Sequence, residues 1–504
     1  MFESTLFISL AILLGAPIVI FLLGKWNDKA AKWSALIAVL IATVFFALTM
    51  GDVLGVTSTD SDVFEGWDWI NFTIGSRTID IGFSLVADGL SFTMAAIIFI
   101  LSLAAVSFSF GYMKKEESQG GYYALLVLYI AGMVGVVLAG DLAQFYVFWE
   151  LMLIPSYFII AKWGSKPNAV KIAFKYFIFT HVGAMAILIG IGGLWAFGGT
   201  FNIATLISTG ISAPANIIRL LTILMMLGFS VKMAIFPIHT WLPDTHGEAP
   251  TPISAILSGV MIETAAYGIL RICTSIFGEE GMGGWMRWVL IGFAVFTMLY
   301  GGLMALAQKD TKRLFAFSSI SQMGYILFGL GTFELFGSTG STFHIVSHAL
   351  AKGTLFMVAG ILMTQIGHHK GRRIDKLGGL ACRMPITTIV AIIAALSLAG
   401  TPPLAGFMSE WIIFQGGLQA NNTLGIIAVI FAILSTALTA TYVLLFMKNV
   451  FLGPEKEEFK DVKDPSPSMW IPLIILAILS LVIGLFPKSV LVFVTEAVSK
   501  IFGG

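Results

Sequence analysis

The sequence predicts an all-α polytopic membrane protein of about fourteen transmembrane helices, and three observations carry that prediction. Of 504 residues, 57% are apolar and only 11% are charged, where an average soluble domain carries roughly 25% charged residues. Mean hydropathy is +0.92. Apolar runs of about 20 residues, enough to cross a bilayer core, recur along the whole chain. A soluble globule could not hide that much apolar surface from water. A net charge of +1 gives no basic field for nucleic acid. Cys273 and Cys382 stand far apart without a CxxC, so an iron–sulfur cluster or structural zinc has no ligand set in this sequence. With no P-loop, GxSxG or strand-borne GxGxxG either, the driving energy is expected to be released in another chain.

The spans run roughly over 5–24, 33–53, 84–112, 122–140, 142–161, 171–198, 217–241, 251–277, 285–307, 313–334, 341–366, 385–416, 424–452 and 469–502. The first can serve as its own insertion signal. Between the second and third lies an acidic, alternating segment, 54–83, with Trp67-Asp68-Trp69-Ile70-Asn71-Phe72 followed by Thr78-Ile79-Asp80-Ile81. That period of two predicts a β-hairpin on the outer face. Little more than Gly140-Asp141 separates the fourth span from the fifth. The seventh and twelfth are expected to be broken helices, because Pro237, Pro402 and Pro403 remove backbone donors inside them. The last is either one tilted helix or a span ending at Pro487 with an amphipathic tail. Four regions follow: 1–121 with helices 1–3 and the hairpin, 122–277 with helices 4–8, 285–452 with helices 9–13, and 453–504 with a cytoplasmic loop and the C-terminal helix.

Basic residues set the orientation. One set of alternate loops holds twenty of the 29 Lys and Arg, from Lys25 through Lys114, Lys166, Lys312 and Arg373 to Lys463, and the opposite set holds six, including Arg271. The basic loops are expected in the cytoplasm of a cell-membrane protein, with both termini outside. Lys175, Lys232 and Lys352 remain inside spans.

Lysine at mid-bilayer costs about 2.5–3.5 kcal/mol on insertion scales, so such groups are usually paired and functional. Glu150, Glu263 and Glu410 share that interior, and Lys232 lies five residues before Pro237. His344, His348 and Lys352, spaced i, i+4, i+8, fall within an arc of about 80° on one helix face. Imidazole titrates near neutrality, so this stripe can pass protons. His239, Asp244, His246 and Glu248 at a helix end, with His181 on the sixth span, are candidates for a proton inlet. For each of these residues the alternative is a structural pair, a satisfied core histidine, a capped loop or, for Lys175, snorkelling.

Phe179-Thr180-His181-Val182 is similar to Val346-Ser347-His348-Ala349, and Asp141–Phe148 to Asp310–Phe317, at offsets of 167 and 169. An offset spanning five helices, an odd number, inserts the two units with opposite topology, as in ion transporters built from inverted repeats.

The stretch His239-Thr240-Trp241-Leu242-Pro243-Asp244-Thr245-His246-Gly247-Glu248-Ala249-Pro250-Thr251-Pro252 resembles the signature of the antiporter-like subunits of respiratory complex I and of Mrp cation/proton antiporters. Val86-Ala87-Asp88-Gly89-Leu90-Ser91, Phe148-Trp149-Glu150-Leu151 and Gly400-Thr401-Pro402-Pro403 with Phe407-Met408-Ser409-Glu410 resemble other family landmarks. The likeness covers nearly the whole chain and points to the M-type complex I and D-type Mrp subunits. It implies two inverted five-helix units, helices 4–8 and 9–13, and a central polar axis. By position it gives Glu150 the role of the fifth-helix glutamate, Lys232 that of the lysine on the broken seventh, Lys352 an eleventh-helix lysine and Glu410 the acidic form of the twelfth-helix residue. One departure stands out: Glu263 occupies the eighth-helix position where relatives usually have lysine.

These readings converge on a proton-translocating subunit of a redox-driven oxidoreductase (NADH, F420H2, ferredoxin or hydrogenase type). Glu150 is expected to pair with Lys232, and Glu263 with Lys352. No cofactor is expected in this chain; flavin and iron–sulfur clusters would sit in partner subunits. The expected partners are other antiporter-like and quinone-site membrane subunits, a hydrophilic electron-transfer arm and the lipid bilayer. A Mrp-type Na+/H+ antiporter subunit is the alternative. A solute carrier is disfavoured by a titratable row in place of a pocket.

Overall fold

The computed structural model describes residues 4–55, 62–74, 77–165, 167–420 and 423–502. Ser58 and Lys166, in the outer and basic loops respectively, lie outside the described residues. Among those described, thirteen helices are long and apolar enough to cross a membrane. The twelfth span adds two shorter pieces, Pro385–Leu398 and Ala405–Gln419. The chain is a multi-pass membrane protein. The eighth, tenth and eleventh spans are wholly enclosed, whereas the first, second and thirteenth turn most of their surface outward. The protein's interior therefore lies around Thr251–Met282, Thr311–Gly331 and Leu335–Ile366.

The expected hairpin is present as β1 (Val63–Ile74) and β2 (Arg77–Ala87), antiparallel with a bulge between Asp68 and Ile70. It reaches further than the alternation suggests. Asp88 caps the next helix in a reciprocal pair with Ser91, so the third span begins at Gly89, and 84–87 belong to β2. The hairpin is tied down on three sides. The Glu65 carboxylate accepts the Leu6 and Phe7 amides at 2.9 and 2.8 Å, closing the N-terminus of the first span. Burial pushes this carboxyl above its ordinary range, against the lowering pull of those amides. The Ser84 amide donates to Gln144 at 2.9 Å, and Lys500 reaches Asp62 at 3.2 Å. Lys500 belongs to a separate amphipathic helix, Lys488–Ile501, because the last span ends at Leu485 before Pro487. Of the two readings of the C-terminus, the amphipathic tail holds.

Both expected breaks form. The seventh span is helical over Ala215–Lys232 and resumes only at Trp241–Glu248, so it stops well short of residue 241. Ala234 inside the break has φ +55°. In the twelfth span Gly400 turns the chain at φ +63°. A Cβ there would stand 2.6 Å from a Glu410 carboxylate oxygen, so glycine also makes room for that side chain. The eighth span is irregular in a different way. It widens into π turns at Leu257–Met261 and Ile269–Thr274, and Glu263 sits between them.

Candidate functional site

Glu150 projects from the helix Leu142–Trp163, which Asp141 caps by accepting the Ala143 and Gln144 amides. Its carboxylate meets His181 Nδ1 at 3.1 Å. Lys232 is the last residue of its helix before the break, where the negative end of the helix dipole favours a cation. Its ammonium is buried, lies 5.3 Å from the Trp149 ring centroid, and has no hydrogen-bond partner among the described residues. The expected Glu150–Lys232 contact is therefore not made: the carboxylate has turned to His181, leaving Lys232 within electrostatic reach only.

At the centre, Glu263 and His348 are fully enclosed and hydrogen-bond through His348 Nδ1. The other oxygen of Glu263 and Nε2 of His348 are without partners among the described residues. This corrects the expected Glu263–Lys352 pair. Lys352, one turn further along the same helix, instead donates to the Phe315 carbonyl at 2.9 Å and to the Ser318 hydroxyl on the tenth span. The spacing reveals the shared face of the eleventh helix. It does not reveal that this face turns toward two different neighbours.

The row continues outward from His348. The His344 ring lies nearly parallel to that of His348, centroids 6.3 Å apart. Its two nitrogens meet Ser409 at 2.9 Å and Gln322 at 2.9 Å, and the neighbouring Tyr325 ring stacks on it at 5.8 Å. Tyr325 hydrogen-bonds Thr436 at 3.0 Å, and Thr436 donates to Glu410 at 2.8 Å. Glu263, His348, His344, Ser409, Tyr325, Thr436 and Glu410 thus form one chain of hydrogen bonds and ring contacts through the interior. Within each hydrogen-bonded segment a proton can pass between partners without a solute pocket, whereas the His348–His344 and His344–Tyr325 ring contacts pass one only when the imidazoles turn.

The inlet candidates separate. Asp244 bridges Lys175 at 2.8 Å and Arg313 at 3.0 Å, so Lys175 is paired. His239 meets Tyr300 at 3.2 Å. His246 is buried against the Phe356 ring, centroids 4.6 Å apart, with both nitrogens unpartnered among the described residues. Glu248 lies within the electrostatic reach of Arg372 and Lys312. His181 belongs with Glu150 instead.

Three features escape sequence reasoning. Lys312 counts among the loop cations by its neighbours, yet it is buried and donates to the Ala249 carbonyl. Its place two residues after the capping Asp310 is the available signal. Arg271, counted with the cations of the less basic side near the end of the eighth span, holds Asp88 through two bonds of 2.6 Å, a pairing the sequence does not show. Gln322 and Ser409 carry no charge to draw attention, and only their contact with His344 marks them.

A family described as "NADH:quinone oxidoreductase/Mrp antiporter, TM" matches residues 139–436, and one described as "NADH-Ubiquinone oxidoreductase (complex I), chain 5 N-terminus" matches 69–123. The A component of a Na(+)/H(+) antiporter from Alkalihalophilus pseudofirmus is 35% identical over 94% of this chain, which spans 60% of that protein's length. The N component of the NADH-quinone oxidoreductase of Desulforudis audaxviator is 31% identical over 94% of this chain and 96% of its own. In fold, the chain is similar to one in the Mrp complex of Dietzia sp. DQ12-45-1b, with a TM-score of 0.85 at 24% identity, covering 99% and 97% of the two chains.

Proposed function

The chain belongs to the family of antiporter-like, ion-translocating membrane subunits shared by NADH:quinone oxidoreductases and Mrp antiporters, and from that premise we propose that it translocates protons within a complex I-like, redox-driven complex. The observation that carries this reading is the interior row from Glu263 to Glu410. Lys232 acts as the proton-holding group of the first unit. When Glu150 faces it, the pair is neutral and the proton stays. When Glu150 turns to His181, the unpaired ammonium is driven to pass its proton toward the centre. From there Glu263, His348 and His344 carry the charge, with Lys352 beside them, and Glu410 ends the row.

Two inverted units, 122–277 and 285–452, fit this scheme. Their support is local: Asp141 and Asp310 cap equivalent helices in the same way, and each makes an isolated bridge further on, to Asn202 and Arg373. The redox partners would be quinone-site and antiporter-like membrane subunits and a hydrophilic arm holding flavin and iron–sulfur clusters. The basic asymmetry supports the cell membrane with cytoplasmic basic loops and both termini outside. Reporter fusions at Arg373 and Ser58 should read cytoplasm and outside, respectively; the reverse pattern would overturn this orientation.

The 35% identity to an antiporter component favours a second reading, Mrp-type Na+/H+ exchange without a redox partner. Isolation of the intact native complex decides between them. The redox reading expects iron–sulfur absorbance in the visible and donor-driven acidification in sealed vesicles. A complex without redox absorbance that exchanges Na+ for H+ overturns it in favour of the second.

A further inference from the structure

On the basic face, where the eleventh and thirteenth spans leave the bundle, a cleft of about 380 Å³ opens between residues 374–378 and 448–456. That volume is within the roughly 300–1,000 Å³ range of small-molecule sites. Lys448, Lys456, Asn449, Asp375, Gly378 and Gly453 are among the residues that line it. The walls are fixed by direct backbone packing. Gly379, at φ +66°, lies so close to Glu455 that a Cβ would stand 2.4 Å from its Cα, and a Cβ on Gly378 would meet the Pro454 carbonyl at 3.1 Å.

The acidic residues around the cleft are already engaged. Asp375 is held by Arg373 through bonds of 3.0 and 2.8 Å, Glu455 by Arg383 at 2.6 Å, Glu458 by Lys370 at 2.8 Å and Glu457 by Lys460 at 2.9 Å. Among the described residues, no carboxylate lies within ion-pair distance of Lys448, Lys456 or Lys376. Lys456 bonds only a neutral acceptor, the Lys376 carbonyl, at 2.7 Å. The cleft therefore carries a net positive charge with no direct ion pair on these lysines, Glu458 reaching Lys456 and Lys376 only through space.

It also continues an apolar surface. The thirteenth span ends in a π turn, Lys448–Leu452, and there Leu445, Lys448, Asn449 and Leu452 are exposed while Phe446, Met447, Val450 and Phe451 are buried, so the polar pair and the leucines share the outward side. Further along the thirteenth span Ile430, Leu434 and Leu444 are exposed as well. That face offers acyl chains an apolar surface, and the cleft's lysine ammoniums attract anionic headgroups at the membrane surface.

We infer that this cleft binds the headgroup of an anionic phospholipid, with Lys448 and Lys456 holding the phosphate and the acyl chains lying on the thirteenth span. The assignment is independent of which ion the protein moves.

The test uses the whole protein, delipidated in detergent and titrated with phosphatidylglycerol, with phosphatidylcholine of the same chains, or with glycerol phosphate, and read by native mass spectrometry. Phosphatidylglycerol should bind in preference to both others. Each lysine near an anionic surface is worth about five-fold in affinity, so Lys448→Gln with Lys456→Gln should weaken binding roughly 25-fold. Lys114→Gln with Lys115→Gln, exposed lysines of another basic loop, should leave it unchanged. Retention unaffected by the cleft pair, or equal losses in both pairs, overturns the site. Glycerol phosphate binding as tightly as the lipid overturns the phospholipid assignment. So does a cleft pair whose only effect is release of an acidic protein partner from the complex.

Discussion

Lys232→Ala is expected to lower proton pumping by on the order of 100-fold or more while the complex still assembles, because general acid–base groups contribute on that scale. Alanine would break no hydrogen bond of this side chain and would give up only the approach of the ammonium to the Trp149 ring. It makes no hydrogen bond to another described residue, and its neighbours are the Trp149 ring and the end of its own helix. Removing a buried, unpartnered cation relieves a desolvation cost, so assembly should survive. Lys232→Arg is the sharper variant. Guanidinium keeps the ring contact and the dipole interaction but does not release its proton in a protein. It should therefore fail as alanine fails. Dye quenching in sealed vesicles measures pumping, and co-purification of partner subunits measures assembly. Coupled pumping at the wild-type rate in the arginine variant would show that a fixed positive charge suffices, and the proton-holding role would be wrong.

The fate of Lys232 also shows where sequence reading succeeds and where it stops. Its place in the interior is legible, because a charge inside an apolar span is costly and Pro237 announces a break beside it. The same logic finds Glu150, Glu263, Lys352 and Glu410, and the period of two finds the hairpin. Partner choice is not legible. Periodicity gives the face a residue occupies on its own helix but not the rotation and height of the helix opposite. His181 thus takes Glu150 from Lys232, and His348 takes Glu263 from Lys352. Hairpin and span boundaries slip where capping overrides hydropathy, as at Asp88. Lys312 is misleading because its neighbours, Asp310 and Arg313, look like a solvated loop. In the fold, the amide caps at Asp310 turn that segment into the first turn of an enclosed helix.

The corrected partner of Glu263 leads to the second expected result: Glu263 and His348 should behave as one unit in pumping, and Glu263 and Lys352 should not. Glu263→Gln keeps the shape and one acceptor but cannot carry the charge, so pumping should fall by roughly 100-fold. His348→Gln should cost about the same, because either change leaves half of a relay that needs both members. Once the first substitution has broken the relay the second has little left to remove. The double variant should therefore be no worse than either single, a coupling of about 2.7 kcal/mol, the full 100-fold of one single loss. Lys352 reaches the tenth span rather than Glu263, so Glu263→Gln with Lys352→Gln should come much nearer to the product of the two single losses. Glu263→Lys, which installs the residue usual in the family, should do worse than Glu263→Gln. It removes the carboxylate that accepts from His348 and sets a second ammonium one helical turn from Lys352. Initial rates in sealed vesicles for the four single variants and the two doubles are sufficient. Should Glu263 prove coupled to Lys352 as strongly as to His348, the central unit is the carboxylate–amine pair and the imidazole only packs beside it.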